Sequence, residues 1–265
     1  MLLTPHRLPP HHQPRDGPGV HPRRRRMVRP ILGVPMATAT TTWIPYSEAR
    51  VFVALAVAML ERDGRLSLDD PMRRHVPELP AYASAVTVRQ LIHHTSGLAD
   101  YGVLAGPGWD ISDRMSEGEF FRILGRWGRL GFAPGEGEMY SNSDYALLRI
   151  LVKRVTGGSQ HDNLDPRLFR PLGMTSTRVG ADQATVAPNH ALFYDVDGDG
   201  FKTLLRYRTS PVGGISVTTS VDDLVRWERV VRFHRDEAGC VTHLTLDATR
   251  VKGMRYTRRP TPPAP

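Results

Sequence analysis

Two short stretches carry residue types and spacings that suit nucleophilic chemistry. Ser47-Glu-Ala-Arg50 stands at the entry to a long apolar run, and Tyr140-Ser-Asn142 follows Pro134-Gly-Glu136. On a helix, a serine and an arginine three positions apart lie one turn apart on the same face. A serine hydroxyl is a weak nucleophile until a base takes its proton. Any such activity therefore needs a neighbouring group that can accept this proton.

Three further segments complete a recognisable order along the chain. Glu61-Arg-Asp-Gly-Arg-Leu-Ser-Leu-Asp-Asp-Pro71 follows the apolar run, His94-Thr-Ser-Gly-Leu98 comes next, and Pro171-Leu-Gly-Met174 lies beyond Asn142. In this order and spacing, the segments resemble the serine β-lactamase-related hydrolases, which include class C β-lactamases, DD-peptidases and related esterases. The resemblance covers about residues 47–231.

The resemblance implies acyl transfer through a serine ester. Ser47 would be the nucleophile, Tyr140 the acid and base, and Asn142 the residue that holds the substrate amide. The substrate would be a small molecule or a peptide, and the bond that is cleaved would be that of a β-lactam, a peptide or an ester. Backbone amides would stabilise the oxyanion, and no metal or organic cofactor is implied.

The chain departs from the family pattern at two points. Arg50 stands where the family has lysine, and arginine stays protonated in proteins, so it cannot accept the serine proton. No Lys-Thr-Gly or His-x-Gly segment follows Trp227. These departures favour a second hypothesis, a non-catalytic relative that binds a partner or is a decayed gene product.

Each candidate also has a simpler interpretation. Ser47 is a good helix N-cap, Arg50 could be solvated, and Tyr140 could be an ordinary half-buried tyrosine. Asn142 could cap the helix that follows it. We expect His94 to be structural, because it lies in a turn that ends a helix.

Periodicity predicts a helix-rich body with late strands. Helices are expected at residues 51–62, 88–94 and 143–155, with capping boxes at Ser116/Glu119 and Ser220/Asp223. Strands are expected at residues 213–219, 241–246 and 254–257. With the resemblance, this predicts an α+β, β-lactamase/transpeptidase-like fold: an antiparallel sheet flanked by helices, with an all-helical subdomain.

Composition shifts divide the chain into four expected parts. Residues 1–36 are rich in Pro, Arg and His and are predicted to be disordered. Residues 37–232 would form the β-lactamase-like domain, incomplete at its C-terminal end. Residues 233–259 would be the remnant of a small β domain, and residues 260–265 a Pro-rich tail.

Charge and composition exclude several classes of protein. The net charge of +8 comes from basic ends, so the body has no basic face for nucleic acid. The single Cys240 excludes a disulfide framework and a multi-cysteine metal site. Asp195–Gly200 begins like a calcium loop, but Arg206 stands at the closing position, so a surface turn is expected. No apolar run is long enough to span a membrane, and no export signal is readable, so the chain is expected to be cytoplasmic. The sequence leaves the oligomeric state open.

Overall fold

The computed structural model describes residues 37–106, 115–179, 189–191, 193–197, 200–204, 217–228, 231–237, 241–248 and 251–257. The predicted tails at 1–36 and 260–265, and Cys240, lie outside these ranges. The helices are α1 (Arg50–Arg62), α2 (Met72–His75), α3 (Val88–Ile92), α4 (Tyr101–Leu104), α5 (Glu117–Trp127), α6 (Asn142–Thr156), α7 (Gln160–Leu164), α8 (Arg170–Leu172) and α9 (Val221–Glu228). The strands are β1 (Thr42–Trp43), β2 (Arg178–Val179), β3 (Phe193–Asp197), β4 (Gly200–Leu204), β5 (Val217–Ser220), β6 (Val231–Arg235), β7 (Val241–Ala248) and β8 (Val251–Thr257).

The strands form three small antiparallel sheets. In the first, β5 lies between β1 and β2, with Trp43 opposite Thr219 and Val179 opposite Val217. Strands β3 and β4 form a hairpin across the acidic stretch at 195–200, whose residues 198–199 lie outside the described part. Strands β6, β7 and β8 pair in chain order. The mixed α+β class predicted from the sequence is therefore confirmed.

Helix α1 is the centre of the helical core. Phe52–Leu60 is buried apart from the partly buried Ala54, whereas Val51 at its start is exposed. The Phe52 ring meets the rings of Phe169 and Trp227 at centroid distances of 5.4 and 5.2 Å. Tertiary burial stabilises such a helix more than its own propensity does, because its valines are weak helix formers.

Local capping fixes where the other long helices begin and end. The predicted Ser116/Glu119 capping box is present at the start of α5. Ser141 caps α6, and Gly157, in the left-handed conformation, ends it. At α9 the prediction holds in part: Asp223 N donates to Ser220 Oγ, but the Asp223 carboxylate accepts from Ser176 N and Thr177 Oγ1.

The part of the chain after α9 forms its own sheet. Among the residues that the structure describes, β6 pairs with β7 and does not extend the β1–β5–β2 sheet. The division at about residue 232, with 233–259 as a separate β remnant, stays a prediction. In the described ranges, no helix is both long and apolar enough to cross a bilayer.

Candidate functional site

Ser47 lies on a short 3-10 turn, Tyr46–Ala49, directly before α1. Its side chain is exposed, and its Oγ lies 2.9 Å from the hydroxyl oxygen of Tyr140. Either oxygen can donate in this hydrogen bond. The alternative that Ser47 caps α1 is wrong, because Ala49 occupies the cap position and no side chain caps the helix. The structure therefore brings together the two residues that the resemblance paired.

The N-terminus of α6 positions Tyr140 and Asn142. Ser141 Oγ accepts from Ser143 N and caps the helix, so Asn142 is its first residue and not its cap. The Asn142 amide NH₂ and backbone N–H both donate to Asp100 Oδ2, at 2.7 and 2.8 Å. Asp100 thus fixes the orientation of Asn142, whereas Tyr140 is about half exposed, at 51%.

Arg50, the first residue of α1, reaches across to both of these residues. Its Nη2 donates to Asn142 Oδ1 at 2.6 Å, and its guanidinium carbon lies 4.3 Å from the Tyr140 ring centroid. Among the residues that the structure describes, no carboxylate forms an ion pair with Arg50. Its positive charge therefore acts on the Tyr140 ring and on the oxygens of the site. Arg50 is neither a free surface side chain nor a group that could accept a proton.

Two further residues of this site, Asp100 and Tyr145, were not predicted from the sequence. Asp100 caps α4 by accepting from Gly102 N at 2.7 Å, and its other oxygen holds Asn142. The Tyr145 ring lies under the Arg50 guanidinium at 5.1 Å, and its hydroxyl donates to Ile92 O. Burial raises the pKa of Tyr145 and the Arg50 charge opposes this rise, so the phenol stays protonated. A cap-forming Asp before an apolar turn was the only signal for Asp100.

A histidine–aspartate pair with a buried carboxylate lies beside Tyr140. His94 Nδ1 is 2.8 Å from Asp144 Oδ2, and Ser96 Oγ donates to Asp144 Oδ1 at 2.6 Å. The Asp144 side chain is fully buried, and burial raises its pKa, an effect that the bonds to His94 and Ser96 oppose. The expected structural role of His94 stays a prediction, and its ring lies 5.0 Å from the Tyr140 ring.

The described residues offer no ready metal site. Across the described ranges, His, Cys, Asp and Glu side chains form no group of three that could hold a metal ion. The groups that the site brings together are the hydroxyls of Ser47 and Tyr140, the Arg50 guanidinium and the Asn142 amide. This set suits proton transfer between oxygens beside a nucleophile.

Comparison with known proteins gives a family match over nearly the whole chain. Residues 33–264 match the family model Beta-lactamase. The chain is 37% identical over 134 residues to penicillin-binding protein 4* of Bacillus subtilis, which covers 50% of the chain and 29% of that protein. It is 27% identical over 197 residues to protein flp of Staphylococcus aureus, covering 72% of the chain and 39% of that protein.

Solved structures agree with this match. The D-amino acid amidase of Ochrobactrum anthropi SV3, in complex with L-phenylalanine amide, is 27% identical with a TM-score of 0.61. That alignment covers 72% of the chain and 55% of the amidase chain. The chain spans less than two fifths of the length of either curated relative. Since the family model covers most of its residues, the chain belongs to the beta-lactamase family.

Proposed function

We propose that the chain is a serine hydrolase that works through an acyl ester on Ser47. The observation that carries this proposal is the 2.9 Å contact between Ser47 Oγ and the Tyr140 hydroxyl, beside the Arg50 charge. An activated serine needs a proton acceptor within hydrogen-bond reach. Tyr140 is in that position, and Arg50 cannot accept a proton.

The acylation step can be written with these residues alone. As Ser47 Oγ forms a bond to the substrate carbonyl carbon, its proton passes to the Tyr140 oxygen. The bond from that carbon to the leaving nitrogen or oxygen then breaks, and the Tyr140 hydroxyl gives its own proton to the leaving group. Water later attacks the ester, its proton passes to Tyr140, and Ser47 Oγ regains a proton as the acid leaves.

Arg50 and Asn142 would support this step in different ways. The Arg50 charge favours negative charge that develops on the oxygens beside it. Asn142 Oδ1 already accepts from Arg50, and its NH₂ group donates to Asp100. Asn142 Oδ1 also accepts from the Tyr140 hydroxyl at 3.4 Å. A carbonyl oxygen has two lone pairs, so a substrate N–H would replace this longer bond when the Tyr140 proton moves.

The proposed substrates are acyl compounds with an amide, β-lactam or ester bond. Support comes from relatives whose names include a penicillin-binding protein and a D-amino acid amidase. The exposure of Ser47 and Tyr140 also leaves their oxygens open to a bound molecule.

The second candidate is a non-catalytic relative that binds a ligand or partner. The observation in its favour is that Arg50 occupies the lysine position and donates to Asn142 Oδ1 at 2.6 Å. A lysine there could exchange a proton, whereas this arginine binds a neutral amide. The missing segment after Trp227 supports the same alternative.

Intact-mass spectrometry of the full chain distinguishes the two candidates. The chain is incubated with a fluorophosphonate probe and, separately, with a penicillin. We expect one adduct, absent from the Ser47→Ala variant and retained in Ser84→Ala, which removes another exposed serine hydroxyl next to a 3-10 turn. Folded protein without an adduct would reject the hydrolase and favour the binding protein. An adduct retained in Ser47→Ala would reject Ser47 as the nucleophile.

A further inference from the structure

The His94–Asp144 pair joins a partly buried imidazole to a fully buried carboxylate beside the site. Asp144 is fully buried in α6, where His94 and Ser96 contact its two oxygens at 2.8 and 2.6 Å. Ser96 is itself buried, and its Oγ also accepts from Leu98 N. His94 and Ser96, both in the loop after α3, thus converge on Asp144 in the first turn of α6. The proposed acyl transfer uses none of them.

The backbone of this loop is held against the segment that leads to Tyr140. His94 O accepts from Met139 N at 2.9 Å. Ser141 N lies 3.3 Å from His94 Nδ1, the nitrogen that also meets Asp144 Oδ2, and this nitrogen serves one of the two bonds at a time. His94 therefore contacts the backbone on both sides of Tyr140, with the Met139 bond independent of the imidazole. Thr95 O accepts from Gly135 N at 2.8 Å and extends the same contact backward along the chain.

The backbone of His94 is unusual, with φ of 57° in the left-handed region. A residue with a side chain adopts this conformation at a cost, which surrounding contacts must offset. Here the conformation allows the imidazole to meet Asp144 while the carbonyl meets Met139.

The side chain of Tyr140 depends on these contacts because little else covers it. Its ring is 5.0 Å from the His94 ring and 4.3 Å from the Arg50 guanidinium carbon, while half of the side chain faces solvent. His94 also contacts the ring of Tyr145, at 5.2 Å, whose hydroxyl is anchored on Ile92 O.

We propose that His94 and Asp144 form a positioning pair that holds Tyr140 against Ser47. The pair acts through the backbone on both sides of Tyr140 and through the face of its ring, not on the substrate. This inference deepens the proposed function and rests on it. Its prediction for the ring of Tyr140, however, concerns the free protein and is measured without any reaction.

A double-mutant cycle tests the action through Tyr140. The rate of fluorophosphonate modification of Ser47 is measured for the unaltered chain, His94→Ala, Tyr140→Phe and the double variant. We expect His94→Ala to slow modification about tenfold or more, as a small misplacement of a reacting group does. In the Tyr140→Phe background, His94→Ala should add almost nothing. An equal loss in both backgrounds would overturn the proposal.

A conservative variant separates positioning from loss of fold. Asparagine tolerates the left-handed backbone better than most residues and has a polar side chain that can meet Asp144. His94→Asn should therefore recover most of the modification rate that His94→Ala loses. If His94→Asn is folded and as slow as His94→Ala, the pair does not act as proposed.

The second readout needs no reactivity at Ser47. Carbon-13 relaxation of the Tyr140 ring, assigned by its absence in Tyr140→Phe, is compared between the unaltered chain and Asp144→Asn, which leaves His94 in the chain but removes the carboxylate that it bonds. We expect the ring order parameter to fall into the flexible range, below about 0.6, in Asp144→Asn. The matched control is His75→Asn, which breaks the other Asp–His pair, Asp70–His75.

The two readouts distinguish the possible failures. If the unaltered chain is not modified at Ser47, the proposed function fails and the ring measurement alone decides the inference. An unchanged Tyr140 order parameter in folded Asp144→Asn would overturn the inference. A fall in both Asp144→Asn and His75→Asn would also overturn it, because it would show general loosening of the fold.

Discussion

Two aspartate–histidine pairs in this chain have nearly the same geometry and different surroundings. Asp70 Oδ2 lies 2.9 Å from His75 Nε2, and Asp144 Oδ2 lies 2.8 Å from His94 Nδ1. Asp70 also accepts from Ser67 N and from the Arg74 guanidinium. The Ser67 backbone bond, with smaller contributions from His75 and Arg74, lowers the pKa of Asp70 against the effect of burial. Burial dominates at Asp144 and raises its pKa.

The two pairs also differ in how far apart their residues lie along the chain. Asp70 and His75 are five residues apart, so their bond closes a local turn before and within α2. Asp144 and His94 are 50 residues apart, and their bond joins the loop after α3 to α6. A local pair stabilises its own turn, whereas the long-range pair also fixes what lies between the two elements, and here that is Tyr140.

The largest effect that distinguishes the pairs is expected from Asp144→Ala. This change removes a hydrogen-bond partner from the buried Ser96 and from the partly buried His94, so the free energy of unfolding should fall by about 4 kcal/mol. Asp70 lies nearer the surface, so Asp70→Ala should lower the free energy of unfolding by about 1–2 kcal/mol. Urea unfolding of both variants and of the unaltered chain gives the two values.

Equal losses would contradict the comparison. They would mean that the depth of Asp144 adds nothing beyond a local hydrogen bond. The exposed Asp69, which pairs with Arg89, supplies a lower reference, because removing a surface ion pair costs under about 1 kcal/mol.

The range of the contacts also explains what the sequence could predict. Helix α1 follows from a long apolar run, α6 from apolar periodicity, and α5 from the capping box of Ser116 with Glu119. These are local signals. The bond from Asp144 to His94 has no local signal, since Asp144 stands in the first turn of α6, where an acidic residue is ordinary.

The candidate site was predictable to the extent that it lies in short motifs. Ser47, Tyr140 and Asn142 were identified by motif, and the structure brings them together. Asp100 was missed because its contact with Asn142 crosses 42 residues. The placement of Arg50 against Tyr140 and Asn142 was also beyond the sequence, because spacing does not show what a side chain meets across the fold.

A second, smaller effect is expected from Gly97→Ala in the loop that carries His94. Gly97 has φ of 75°, and an added Cβ would collide with the backbone carbonyl oxygen of Phe132. We expect a loss of about 3 kcal/mol in the free energy of unfolding, from backbone strain and overpacking together. Thermal or urea unfolding measures it, with Gly157→Ala as the matched control.

Gly157 isolates the strain from the collision. Its φ of 73° is nearly the same, but an added Cβ would meet nothing within 4 Å, so Gly157→Ala should cost about 1 kcal/mol. Residues 67–75, which form the Asp70–His75 turn, contain no glycine. The long-range pair thus depends on a special backbone that the local pair does not need. Similar losses at both glycines would show that the loop can move away from Phe132.

The smallest expected effect is on the pH dependence of stability, which should have opposite signs at Asp70 and Asp144. Asp70 has a lowered pKa in the folded state, so its contribution to stability is present above 3.8 and is lost as the pH falls through the folded pKa. Asp144 has a raised pKa, so its contribution is present below 3.8 and is lost as the pH rises through the folded pKa.

The free energy of unfolding of the unaltered chain, of Asp70→Asn and of Asp144→Asn is measured by urea titration from about pH 3 to about pH 7. The stability advantage of the unaltered chain over Asp70→Asn should grow with pH, and its advantage over Asp144→Asn should shrink. Two slopes of the same sign would mean that the bonds from His94 and Ser96 outweigh burial at Asp144, and the two pairs would then differ in range alone.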